Sequence, residues 1–165
     1  MRVASSLLSL LLLSAIAAPA QTPSTQPMDP DYAASVKEWT TKPEFLSPLV
    51  DHLPASTTVP SPKSVLGYYI GAPKKLTYYA DMVKYYRALA AATPRVKVIE
   101  LGKTEEGRES IMVFVGSEES IAHLDGNKKN LARLADPRGL TPEDAAKIVA
   151  ATKPIYTLSG GLHSA

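Results

Sequence analysis

The chain has 165 residues, 18 Lys and Arg against 16 Asp and Glu, a formal charge of +2 at pH 7, and no cysteine. This near-balance removes the electrostatic case for nucleic acid or an anionic membrane as a partner. Without cysteine there is no disulfide framework, no thiolate metal site and no lipid-modified amino-terminal cysteine within these residues.

The first 20 residues have the order of an export signal. Arg2 gives a positive start, Leu7 to Ile16 form an apolar stretch centred on Leu10-Leu11-Leu12-Leu13, and Ala18-Pro19-Ala20 has the small-x-small form of a signal-peptidase site. The apolar run is too short for a transmembrane helix. Cleavage after Ala20 is expected to release a secreted or periplasmic protein with no membrane attachment. Removal of Arg2 leaves its charge closer still to zero.

Residues 21–63 read as a proline-rich arm or linker. Prolines at 23, 27, 30, 43, 48, 54, 60 and 62 are expected to forbid regular helix through most of it. Trp39 and the stretch from Phe45 to Leu53 supply its few apolar groups, which either dock on a folded domain or stay exposed. His52, with Asp51 as its nearest ligand-like neighbour, reads as a surface histidine.

The folded part is expected over residues 64–165. Thr77 is the expected N-cap of a helix whose apolar positions are Tyr79, Met82, Val83, Tyr86, Leu89 and Ala90, a single buried stripe that Pro94 stops. The tyrosine pairs 68–69, 78–79 and 85–86 read as core and rim. Val96 to Leu101 and Ile111 to Val115 are β-branched runs flanking Gly102-Lys103-Thr104-Glu105-Glu106-Gly107-Arg108, with a glycine near each end of the turn. They predict an antiparallel hairpin, and Glu105, Glu106 and Arg108 in its loop read as solvated charges rather than a catalytic cluster.

After Gly116, Ile121, Leu124, Leu131 and Leu134 mark one face of a helix that Pro137 and Gly139 end. His123 beside that face reads as a surface or helix-packing residue. Thr141-Pro142-Glu143-Asp144 then combines a cap, a proline at the first helical position and acids in the first turn. Ala145, Ile148 and Val149 are expected to pack this last helix. Lys153-Pro154 hands over to an apolar run, Pro154-Ile155-Tyr156-Thr157-Leu158, read as a buried strand. The predicted fold is α/β: part of a three-layer sandwich with a mixed sheet, in which the hairpin's second strand crosses over right-handedly to the last one.

That strand leads into Ser159-Gly160-Gly161-Leu162-His163-Ser164-Ala165. Polar groups at the carboxyl end of a strand in an α/β sheet are where ligands and metals sit. A histidine there needs a partner a few residues on to become half of a chelate. The expectation is therefore of an amino-terminal part of a larger protein.

The helix-strand-turn-strand order with Glu106-Gly107-Arg108 in the turn, followed by Lys153-Pro154-Ile155-Tyr156-Thr157-Leu158-Ser159-Gly160-Gly161-Leu162-His163, resembles the start of a zinc carboxypeptidase domain of the carboxypeptidase A type. The stretch from Leu131 to Ala145 is similar to the longer segment that secreted bacterial members place ahead of the motif. In that family a strand runs into Gly-Gly-hydrophobic-His-x-x-Glu, whose His and Glu bind zinc. The likeness covers roughly residues 64–165.

What the resemblance implies is narrow. His163 matches the first zinc-binding His, and the partner Glu falls at position 166. The second His, the groups that hold the substrate's terminal carboxylate and the general-base Glu are expected farther on. Members often carry Arg just before the ligand Glu, where this chain has Ala165. The implied cofactor is Zn2+, and the implied substrate is a peptide or protein cut at its carboxyl end.

A catalytic zinc takes three protein ligands and keeps a position for water. A four-ligand structural site yields about 10–16 kcal/mol, so one histidine's share is about 3–4 kcal/mol, near millimolar affinity. The chain is accordingly expected to be inactive by itself. Two other readings share its features: a related zinc amidohydrolase that deacylates small N-acyl amino acids, and a small secreted binding module in which His163 is an ordinary surface residue.

Overall fold

A computed structural model of the protein describes residues 26–160. The expected signal segment and His163 lie outside them. Four prolines open helical segments within that span. Helix α1, Pro30–Trp39, has the N-cap Asp29, whose Oδ1 accepts from the N–H groups of Asp31 at 3.0 Å and Tyr32 at 3.1 Å. A 3-10 turn at Pro43–Phe45, helix α2 at Pro62–Leu66 and helix α6 at Pro142–Ala151 also begin on proline.

Most of the described arm is free of regular helix, as its prolines lead one to expect, but α1 is an exception. Proline at the first helical position lacks only an N–H that would have no partner there, and its fixed φ suits the helix. From Pro30 to Lys42 no further proline intervenes, which leaves room for ten helical residues.

The arm also folds back on itself. Ala55 N–H donates to the Pro27 carbonyl and Asp29 N–H to the Leu53 carbonyl, both at 2.7 Å, around a bridge between Met28 and Pro54. Tyr32 Oη donates to the Val50 carbonyl at 2.8 Å. Of the apolar groups of the arm, Phe45, Leu49 and Val50 are exposed and Trp39, Leu46 and Leu53 half-buried. The arm meets the residues that follow it through other groups, Asp29, Asp31 and Tyr32 at Tyr69 and the Pro60 carbonyl at Tyr85.

Helix α3 runs Tyr79–Ala92, one residue later than expected. Thr77 does not cap it; its Oγ1 accepts from Tyr68 Oη at 3.3 Å, while Asp81 in the first turn takes the Tyr78 N–H at 3.3 Å. Thr93 closes the helix just before Pro94. The expected apolar stripe is half-buried at Val83, Tyr86, Leu89 and Ala90 and exposed at Tyr79 and Met82, so it is not a fully covered face.

The hairpin forms as expected, with strands β1, Val96–Lys103, and β2, Glu109–Val115, paired antiparallel. Each extends about two residues farther toward the turn than the β-branched runs do. The turn glycines do what only glycine does without strain: Gly102 has φ 135° and Gly107 φ 79°. The register shifts between Glu100, opposite Ile111, and Gly102, opposite Ser110, which leaves Leu101 as the extra residue of a bulge. Helix α3 packs along β1, and Tyr79 Oη donates to the Glu109 carbonyl at 2.6 Å.

The single helix expected after Gly116 is two, α4 at Glu118–Ala122 and α5 at Leu124–Ala135. His123 sits at the joint with φ −102° and ψ 19°, and both its backbone N–H and its ring Nδ1 meet the Glu119 carbonyl, at 3.0 and 2.8 Å. Ile121, Leu124, Leu131 and Leu134 are half-buried on the expected face. Helix α6 packs on α5, and the Thr141 hydroxyl accepts from Asp144 N–H at 3.2 Å as its sequence requires. Val149, expected to pack, is exposed.

Residues 154–158 are not a strand. Among the described residues the sheet has two strands, and Pro154 to Gly160 carry no regular secondary structure. A strand exists only through its ladder to a neighbour, and none lies alongside. The architecture shown is mixed α/β, helices together with one two-stranded antiparallel hairpin that α3 packs against. Pro62, Tyr69 and Val96 are the fully buried residues among those described.

Candidate functional site

Within the described residues, the charged groups singled out by the sequence lie at the hairpin tip, in the arm and at the α4–α5 joint. Thr104 N–H donates to the Arg108 carbonyl at 2.8 Å and Gly107 N–H to the Thr104 carbonyl at 2.9 Å, closing the hairpin tip. There Arg108 pairs with Glu106 at 2.6 Å, with both side chains more than two-thirds exposed. Such a pair contributes little to stability, and its position agrees with solvated loop charges.

His52 pairs through Nδ1 with the adjacent Asp51 carboxylate, and both are open to solvent. His123 serves the α4–α5 joint. The two histidines lie in different parts of the fold and share no acidic cluster. Among the described residues no group of three or more His, Cys, Asp or Glu side chains is arranged to hold a metal ion. His163, the one expected ligand, lies outside the described residues.

A cleft of about 630 Å³ runs between the arm and the start of the domain, lined by Leu53 to Ser61 with Asp29, Ser64 and Tyr85. Two of its hydroxyls are engaged in local turns: Ser56 Oγ accepts from Thr58 and Val59 N–H, and Ser61 Oγ from Ser64 N–H. Its one carboxylate, Asp29, is engaged by the Tyr69 hydroxyl and by two backbone N–H groups.

The most ordered polar cluster centres on Tyr69, which is 4% exposed. Its hydroxyl lies 2.8 Å from Asp29 Oδ2 and 3.2 Å from Asp31 Oδ2, so one proton serves two carboxylates. Lys63 pairs with Asp31 and sits 5.3 Å above the Tyr69 ring; Tyr32 meets that ring edge-on at 5.1 Å. The Lys63 ammonium, then the Tyr69 hydroxyl, hold the Asp31 carboxyl below the usual carboxylate range. Burial, then the hydrogen bond to Asp29, push the Tyr69 phenol well above its usual range. Tyr69 thus stays a neutral donor, and the cluster ties α1 to the loop after α2. Sequence reading places Tyr69 in the core but misses its acidic partners. The signal was Asp29-Pro30-Asp31, a cap and then a first-turn proline.

A second feature also escapes the sequence. Asn127 in α5 grips the backbone of Lys153: its Nδ2 donates to the Lys153 carbonyl at 2.9 Å, and its Oδ1 accepts the Lys153 N–H at 2.8 Å. The amide thereby copies the paired donor and acceptor of a neighbouring strand. Asn127 is half-buried and falls between Leu124 and Leu131 at helical spacing, so a polar residue on an apolar stripe was the available clue. Beyond the clamp Tyr156 and Leu158 are 87% and 83% exposed.

No helix among the described residues is long and apolar enough to cross a membrane. No known protein family, curated protein or solved structure matches the chain.

Proposed function

We propose that the chain is the amino-terminal part of an exported zinc-dependent carboxypeptidase that acts on the carboxyl ends of peptides or proteins. His163 is its first metal ligand in this reading, residues 1–20 are its export signal, and this portion is inactive by itself. The finer fold proposed with it is a three-layer sandwich in which residues 154–158 join the sheet of β1 and β2 through a right-handed crossover.

One observation carries the reading. Ile155, Tyr156 and Leu158 form an apolar run with its side chains open to solvent, and the hairpin likewise leaves Ile99, Met112 and Val115 open. An isolated two-stranded hairpin is marginal in water, and contiguous exposed apolar surface marks an unmet contact. A larger sheet that takes in both pieces, with helices packed over its two faces, would cover these side chains, and the Gly160-Gly161-Leu162-His163 sequence would then lie at its carboxyl edge.

Reading the nucleotide sequence past the Ala165 codon tests this directly. Glu at position 166, with a second His and a general-base Glu well downstream, is the expected result. The extended protein should then release carboxy-terminal residues from peptides, and a chelator should stop it. A non-acidic residue or a stop codon at position 166 refutes the proposal.

A further inference from the structure

We infer that Asn127 is the positioning residue that fixes the direction in which residues 154–160 leave helix α6. Three devices act in succession at that exit. Thr152 ends α6, its N–H reaching the Val149 carbonyl at 3.2 Å and its hydroxyl the Ile148 carbonyl at 2.6 Å. Asn127 then holds both polar backbone groups of Lys153. Pro154 biases Lys153 away from helical geometry, so the clamped residue hands the chain on in an extended direction.

The other two devices are local to the exit. Thr152 and Pro154 shape the backbone but do not tie it to another element. Asn127 does, across 26 residues. Its paired bonds leave Lys153 no freedom to rotate about the chain axis, because donor and acceptor are both fixed from one planar amide. The joint at His123 contributes: Asn127 N–H donates to the His123 carbonyl at 3.0 Å, so the first turn of α5 sets the height of the clamp. No other side chain of α5 bonds to the backbone of this exit among the described residues.

A packing role is the competing explanation, and helix propensity separates the two. Alanine is a better helix former than asparagine, so Asn127→Ala favours α5 locally while deleting the clamp. A packing residue loosens α5 and α6 when replaced; a positioning residue loosens only the segment beyond Lys153. The inference rests on the carboxypeptidase reading only for the chemistry that the positioned segment carries. The clamp is measured without zinc and without activity, so its failure and the failure of that reading are distinguishable.

The test is amide hydrogen exchange and 15N relaxation on the full 165-residue chain, comparing the parent, Asn127→Ala and Asn127→Asp. In Asn127→Ala the Lys153 amide should exchange roughly tenfold faster, as expected for loss of the one ordinary hydrogen bond that its N–H makes. Order at residues 155–158 should fall, while α5 and α6 amides keep their protection. Asn127→Asp keeps the acceptor for Lys153 N–H and loses the donor, so its Lys153 amide should stay slower than in Asn127→Ala. Unchanged Lys153 exchange in Asn127→Ala overturns the inference. So does an equal loss of protection throughout α5 and α6, or an Asn127→Asp variant indistinguishable from Asn127→Ala.

Discussion

Replacing Tyr69 by Phe probes how the arm is held to the adjoining domain. The substitution keeps the ring, its burial and its edge contact with Tyr32, and deletes the single proton shared by Asp29 and Asp31. A hydrogen bond to a charged acceptor contributes about 1.5–3 kcal/mol. Two features move the cost to the low end of that range. Asp31 keeps Lys63 as a partner, and Asp29 keeps two backbone N–H groups on its other oxygen. The expected loss is about 1–2 kcal/mol, or a factor of about 5–30 in the docking equilibrium. Trp39, the single tryptophan of the chain, ends α1 and is half-buried, so its emission reports whether α1 stays in place. In a urea titration Tyr69→Phe should move the Trp39 transition to lower urea. An unchanged Trp39 midpoint would show that the hydroxyl holds nothing and that the arm is kept by its own hydrogen bonds.

The same cluster sets two pH limits. Asp31 has a depressed carboxyl pKa, so its contribution is present above the ordinary carboxylate value and lost as pH falls through the lowered one; Trp39 emission should shift at acid pH, and less so in Asp31→Asn. Tyr69 is the opposite case, an acid with a raised pKa, so its contribution holds below the ordinary phenol value and declines as pH rises above it, a decline that Tyr69→Phe should remove. Thr141→Ala deletes the α6 cap and should cost about 1 kcal/mol, read as faster exchange of amides in the first turn of α6. Limited proteolysis should cut near Leu49, which is 88% exposed, before it cuts within α1 or α3.

Local chemistry is legible wherever one short stretch carries the whole instruction. Thr141-Pro142 marks the start of α6, Pro94 the end of α3, and two β-branched runs around Gly102 and Gly107 the hairpin. The misses share a physical cause, which is that other residues decide them. Proline density in the arm reads as a helix breaker, but Asp29 supplies a cap that turns Pro30 into a start. His123 lies beside a continuous apolar face, yet its backbone leaves helical geometry at ψ 19° and parts the helix there, with its ring Nδ1 on the Glu119 carbonyl. Tyr69 and its aspartates stand 38 and 40 residues apart, and Asn127 and Lys153 26 apart, separations at which no periodicity operates.

The segment after Lys153 shows the same division at the proposed site. Its composition specifies a strand: β-branched and aromatic residues without charge between Pro154 and Ser159. Composition fixes which residues are able to pair but not the edge they pair with, because a ladder needs a neighbour's backbone as well as its own. The clamp at Asn127 acts between these two levels. It ties the start of the segment to α5, and a segment so held has less conformational freedom to lose on pairing. Asn127→Ala leaves the sequence of residues 154–160 intact and removes that tie, so in the proposed extended protein it should weaken the pairing of this segment, an effect that no reading of residues 154–160 alone would predict.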